Sequence, residues 1–83
     1  MKLAKFVKFR EEKFGGVLFE TRSEKVFTLN PTATAVVREI NAGTSEADIP
    51  ARVKARFDGD DGAMDREVVE FLAELRGKGL VEA

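Results

Sequence analysis

The sequence predicts an α+β domain, winged helix-turn-helix-like, in which a three-stranded antiparallel sheet is followed by three helices. Three observations predict it. Apolar residues recur with a period of about two between residues 5 and 29, and with a period of about 3.6 from Asn30 onward. Turn-forming stretches divide both regions: Gly15-Gly16 and Thr21-Arg22-Ser23-Glu24 in the first, Gly43 and Asp58-Gly59-Asp60-Asp61-Gly62 in the second. The 83 residues suit one domain, 1–83, on one modest core, because so short a chain buries only roughly 60% of its unfolded surface.

The strands come first. Lys5-Phe6-Val7-Lys8-Phe9-Arg10 is rich in Phe and Val, and Gly15-Gly16 is read as the turn after it, since glycine takes positive φ freely. Val17-Leu18-Phe19-Glu20 and Lys25-Val26-Phe27-Thr28-Leu29 complete an antiparallel meander, which needs a packed face to persist. Phe27 and Leu29 are expected to face the core, with Val26 and Thr28 opposite.

Asn30 is a good N-cap and Pro31 a good first helical residue, since its missing N–H would have had no partner there. Ala33, Val36, Val37 and Ile40 form one stripe, and Gly43 stops the helix. A second helix follows Thr44-Ser45, with Ser45 and Asp48 at capping-box spacing and Ile49, Val53 and Phe57 inside. Pro50 removes an intrahelical hydrogen bond, so either the first turn is distorted or the regular helix begins near Asp48. Asp60 or Asp61 is expected to cap the last helix, which runs to about Arg76 on a stripe of Met64, Val68, Phe71, Leu72 and Leu75. Gly77-Lys78-Gly79 ends it, and Leu80 and Val81 fold back. An α+β domain with one shared core follows.

Composition narrows the chemistry. There is no Cys, His, Tyr or Trp, so disulfides, thiolate zinc sites, iron–sulfur ligation and the commonest general base are all absent. No catalytic residue, metal ligand or cofactor is expected, and the chain is not expected to be an enzyme. No apolar run is long enough to span a bilayer. Met1-Lys2-Leu3-Ala4-Lys5 starts like a signal peptide, but Lys5, Lys8 and Arg10 interrupt it, so the expected location is cytoplasmic. Residues 1–40 carry a net charge of +3 and residues 41–83 a net charge of −4.

Several patterns invite a site and fall short. A calcium loop starting at Asp58 would need Gly and Glu where Ala63 and Val69 stand, which leaves helix capping as its use. Glu67, Glu70 and Glu74 could hold a divalent ion, but no second ligating segment accompanies them, and a solvated face accounts for them. The bases Lys2, Lys5, Lys8, Arg10 and Lys13 could meet nucleic acid. The last helix, however, presents Asp65, Glu67, Glu70 and Glu74 where base readout would want Arg, Lys, Asn or Gln.

The cross-section of the last helix is more informative. At 100° per residue from Val68, the core stripe spans about −60° to +40° and the three glutamates lie at about 200° to 260°. On the other flank Arg66, Val69, Ala73 and Arg76 form a small apolar shelf between two arginines. Either Val69 and Ala73 widen the core, or they receive a partner segment. If the third strand is an open edge beside the shelf, the two would form one groove for an extended peptide.

Arg10-Glu11-Glu12-Lys13-Phe14-Gly15-Gly16, Val26-Phe27-Thr28-Leu29-Asn30-Pro31-Thr32, Glu67-Val68-Val69-Glu70-Phe71-Leu72-Ala73-Glu74-Leu75 and Gly79-Leu80 occur in this order along nearly the whole chain. In this respect the sequence resembles the PqqD family, whose domain is also called the RiPP recognition element, and is similar to the peptide binder of mycofactocin systems. The resemblance implies a non-catalytic peptide chaperone that binds the leader of a ribosomally made precursor and presents it to a modifying enzyme, often a radical S-adenosylmethionine enzyme. Carried over, it points to Lys25, Val26, Phe27, Thr28 and Leu29 for main-chain pairing and to Arg66, Val69, Ala73 and Arg76 on the helix. The arginines would favour acidic leader residues. Ordering the leader costs about 1–2 kcal/mol per residue, so dissociation constants of about 0.1–10 μM are expected. The alternatives are a winged-helix DNA-binding regulator and a docking module that homodimerises through its edge strand.

Overall fold

The computed structural model describes residues 1–57 and 61–82, without the Asp61 side chain, so the capping and calcium readings of Asp58, Gly59, Asp60 and Asp61 lie outside the described residues. The elements are β1 (Lys2–Leu3), β2 (Val7–Glu12), β3 (Gly15–Glu20), β4 (Lys25–Leu29), α1 (Pro31–Asn41), a 3-10 turn (Glu46–Asp48), α2 (Ile49–Lys54), α3 (Asp61–Gly77) and β5 (Val81–Glu82). β2, β3 and β4 form an antiparallel meander in that order, and β1 pairs with β5 in a separate two-stranded ribbon. The α+β class is as expected.

One core joins the layers. Leu18 from the sheet meets Val36, Val37 and Ile40 of α1, Ile49 and Val53 of α2, and Val68, Leu72 and Leu75 of α3, all buried. The stripes expected of α1 and α3 are therefore the buried ones. Met64 and Phe71 are half-buried at the margin of the α3 stripe. On the sheet, Leu29 is buried and Phe27 half-buried while Val26 and Thr28 are exposed, the alternation expected of a strand with one covered face.

The departures have local causes. Lys13 and Phe14, not the glycines, make the β2–β3 turn; Gly15 and Gly16 open β3 and pair with Glu12 and Glu11. The glycines serve close approach. A Cβ on Gly15, whose φ is +147°, would lie 2.2 Å from the Leu29 carbonyl oxygen, and one on Gly16 would lie 2.9 Å from Thr34 Oγ1. Lys5 and Phe6 form a turn in which the Val7 N–H donates to the Ala4 carbonyl at 2.9 Å, so β2 starts at Val7 rather than Lys5, and its pairing continues past Arg10 to Glu12. The β1–β5 ribbon, supported by Ala4 N–H donating to the Leu80 carbonyl at 2.9 Å, was not expected: strands of two residues show no period.

Asn30 caps α1 by accepting from the Ala33 N–H at 2.8 Å, and Gly43 follows the helix at φ +85°. Around Pro50 both anticipated adjustments occur: the first turn is 3-10 and α2 begins at Ile49. Ser45 donates to Asp48 Oδ2 at 2.9 Å but does not cap the backbone.

One buried charge ties α1 to α2. Glu39 is 2% exposed, and its Oε1 accepts from Thr44 Oγ1 at 2.6 Å while Oε2 accepts from Arg56 Nη2 at 2.7 Å. Arg52 Nε stands 3.4 Å from Oε1. The Thr44 hydroxyl, then the Arg56 hydrogen bonds and the positive charges of Arg52 and Arg56, hold the Glu39 carboxyl below the usual carboxylate range against the opposing effect of burial. A depressed carboxylate stabilises the fold fully above its unfolded pKa, and the gain is lost as pH falls through the folded value. Glu39→Gln is expected to cost about 1–3 kcal/mol at pH 7. Its melting temperature should converge on that of the parent as melts are taken from pH 7 towards pH 3. A gap that stays constant with pH would refute a charge-dependent role.

Candidate functional site

β4 pairs with β3 on one side only, in the register Gly16 to Leu29, Leu18 to Phe27 and Glu20 to Lys25. The Leu29 carbonyl oxygen reaches towards Gly15, so Leu29 turns its backbone to β3. Successive residues of a strand turn their N–H and C=O to opposite sides. Lys25 and Phe27 therefore also face β3, and Val26 and Thr28 direct theirs away from the sheet.

That free side opens onto α3. A hollow of about 410 Å³ is lined by Val26, Phe27, Thr28, Leu29 and Asn30 on one wall and by Phe71, Glu74, Leu75 and Lys78 on the other. Four successive strand residues, Val26 to Leu29, line it, as an edge approached side-on requires; a sheet face would show alternate ones. Leu18, Ala33 and Leu80 also line it. A second hollow of about 270 Å³ shares Asn30, Ala33, Phe71 and Glu74 and adds Thr32, Val36, Glu67 and Glu70. The two make one trench. Asn30 Nδ2 donates to Glu67 Oε2 at 3.1 Å, which sets the N-terminal half of α3 beside the end of β4, while Lys78 Nζ lies 5.7 Å from the centre of the Phe27 ring. From Lys78 back to Glu67 the helix rises about 16 Å, room for about five extended residues.

The expected helix side lies elsewhere. Val69, Ala73 and Arg76 line a different hollow, of about 550 Å³, with Glu46, Ala47, Pro50 and Leu72. Val69 is 57% exposed, so it does not widen the core, yet its shelf faces the 3-10 turn and α2 rather than β4. Arg76 is hydrogen-bonded to Glu46, which lowers the Glu46 carboxyl from its ordinary value and raises the guanidinium. Arg66 is exposed and lines neither the trench nor the shelf hollow. The structure thus brings together Val26, Phe27, Thr28 and Leu29 but does not bring Arg66, Val69, Ala73 and Arg76 to them; Lys25 begins the same strand. The residues that do face β4 are Phe71, Glu74, Leu75 and Lys78. Phe71, on the acidic margin of the core stripe, was the one sequence signal for this flank.

Among the described residues, no group of three or more acidic side chains is placed to hold a metal ion, and no helix is long and apolar enough to cross a membrane.

A family model for coenzyme PQQ synthesis protein D (PqqD) matches residues 15–81, which include β3, β4, all three helices and every residue of the trench. The chain belongs to the PqqD family. No curated protein matches the chain. Among solved structures, the PqqD-family fold seen here is similar to that of TbiB1 in complex with the TbiA(beta) leader peptide. That match has a TM-score of 0.83 and 22% identity, over 100% of this chain and 96% of the other. A lasso peptide synthetase B1 complexed with the leader peptide gives a TM-score of 0.79 and 22% identity, over 99% and 96% of the two chains. Streptococcus suis SuiB gives a TM-score of 0.52 and 15% identity, over 93% of this chain but 21% of SuiB. The likeness to these proteins establishes a common fold.

Proposed function

We propose that this chain binds the leader of a ribosomally made precursor peptide as an added strand along β4, and presents the peptide to a modifying enzyme. The observation that carries this reading is the open side of β4, where the Val26 and Thr28 backbones face a hollow floored by apolar side chains. Family membership supports it, as does the similarity to two proteins whose structures contain leader peptides. The role asks for no catalytic residue: backbone N–H and C=O groups supply register and affinity, and Phe71 and Leu75 supply apolar contact. The partner enzyme in this reading is a radical S-adenosylmethionine enzyme, which rests on the sequence resemblance, and the setting is the cytoplasm, which rests on the charges of Lys5, Lys8 and Arg10 that interrupt the N-terminal apolar residues.

The test is titration calorimetry and amide-shift mapping with a candidate precursor leader peptide. Shifts at residues 25–29 and at the end of α3 are expected; shifts elsewhere, with β4 silent, would overturn the reading. Phe71→Ala should weaken binding about tenfold or more, at a stability cost of about 1–3 kcal/mol for a half-buried ring. Val69→Asp, on the far flank of α3, should bind like the parent. The reverse pattern would move the site to the shelf.

A second reading uses the same edge: β4 pairing with β4 of another copy. Sedimentation without peptide separates the two, since only this one predicts concentration-dependent dimers. DNA binding is disfavoured by the three glutamates on the exposed flank of α3.

A further inference from the structure

The ion pairs of this protein leave one conspicuous remainder. Glu11, Glu12, Glu20, Glu39, Glu46, Asp65 and Glu82 each have an Arg or Lys partner. Among the described residues, Glu24 between β3 and β4 and Asp48 of the 3-10 turn have no such partner, and neither do three glutamates of α3: Glu70, Glu74, and Glu67, which takes only the Asn30 amide. All three stand on the wall of the trench that faces β4 or the start of α1. At the other end of the same wall stands Lys78, beside Phe27 and with no ion-pair partner among the described residues. The trench is therefore graded in charge along its length: Glu67 and Glu70 stand by Asn30, Glu74 stands between Phe71 and Leu75 in the apolar middle, and Lys78 makes a basic end.

A strand laid along β4 must pass these groups in order. Its backbone is held by Val26 and Thr28, so its side chains cannot slide independently to escape an unfavourable charge. We infer that the trench selects an extended peptide bearing Lys or Arg where it passes Glu67, Glu70 and Glu74, apolar residues where it meets Phe71 and Leu75, and Asp or Glu where it passes Lys78. This rests on the strand-addition reading and deepens it by assigning the charge pattern of the leader. It inverts the preference expected from Arg66 and Arg76: the flank that faces the strand is acidic, and Arg76 is engaged by Glu46 on the other side of α3. Charge complementarity of this kind contributes register and partner discrimination more than raw affinity.

The test needs no knowledge of the natural leader. A phage-displayed library of linear ten-residue peptides is selected against the immobilised chain, and the binders are mapped by amide shifts. Peptides that shift residues 25–29 should be enriched in Lys and Arg in one half and in Asp and Glu in the other. Their affinity should fall about tenfold in Glu70→Lys/Glu74→Lys and by a smaller factor in Glu70→Gln/Glu74→Gln, and the loss should shrink at high salt. Both positions are exposed, so a circular-dichroism melt should match the parent. Peptides that occupy β4 with no enrichment of basic residues, or with no response to the charge reversal, would overturn the charge assignment and leave strand addition standing. If none of the selected peptides shifts β4, strand addition fails and the assignment falls with it.

Discussion

Gly15→Ala is expected to lower the melting temperature by about 15–30 °C. Gly15 has a φ of +147°, which L side chains rarely adopt, and its new Cβ would stand 2.2 Å from the Leu29 carbonyl oxygen and 3.0 Å from the Asn30 carbonyl carbon. Both are backbone atoms, so no rotamer change relieves the overlap. Leu29 closes β4 and Asn30 caps α1, so a shift there loosens the strand pairing or the helix start. Strain in φ costs about 1–3 kcal/mol and overpacking about 1–3 kcal/mol more. A domain of this size has a total stability of about 4–12 kcal/mol, and each kcal/mol moves its melting temperature by about 4–8 °C. Gly43→Ala separates the two contributions: Gly43 has a φ of +85° but nothing within 4 Å of its Cβ position, so it bears strain alone, about 1 kcal/mol. Equal melting temperatures for the two variants would show that the close approach at Leu29 is without consequence.

Gly15 and its neighbour Gly16 also show what sequence makes visible. Gly15-Gly16 reads as a turn because glycine most often serves a turn, yet here the turn is Lys13-Phe14 and the glycines make room for β4 and Thr34. The need is set by residues 14 to 18 positions away, which no local window contains. By contrast, the Asn30-Pro31 start of α1 and the core stripe of α3 were legible because each rests on a local rule, an orphan N–H at a helix start or a 3.6-residue period. β4 was legible for the same reason, including which of its side chains face the core. Glu39 was not, since its neighbours Thr44, Arg52 and Arg56 converge only after α2 folds against α1.

The structure does not set the α3 shelf beside β4, and the reason is handedness. A helical wheel separates the two flanks of α3 around Val68 but is symmetric about the core stripe. Which flank meets β4 depends on the angle at which α3 crosses the sheet, and that is fixed by α1 and α2. Arg66, Val69, Ala73 and Arg76 are thus grouped as the wheel groups them, three of them around one hollow, but on the side turned to Pro50.

Thr28→Pro is expected to weaken leader binding about 10–100-fold while leaving the fold intact. Thr28 turns its N–H away from β3, so proline there removes no bond of the sheet, and proline is tolerated on an edge strand where its missing N–H faces solvent. The bound peptide, however, would lose a donor for one of its carbonyls and would meet the pyrrolidine ring where that donor had been. Leaving a buried carbonyl without its partner costs about 1–3 kcal/mol, which is the stated loss in affinity. Thr28→Ala is the control. It deletes the hydroxyl but keeps the N–H, so binding within about threefold of the parent is expected if the backbone is what the leader grips. Val26→Pro should behave like Thr28→Pro, because Val26 also faces outward. Titration calorimetry with the same leader, beside thermal melts of each variant, decides the matter. A Thr28→Pro protein that melts and binds like the parent would mean that no strand is added at β4. Equal losses in Thr28→Pro and Thr28→Ala would transfer recognition from the backbone to the hydroxyl.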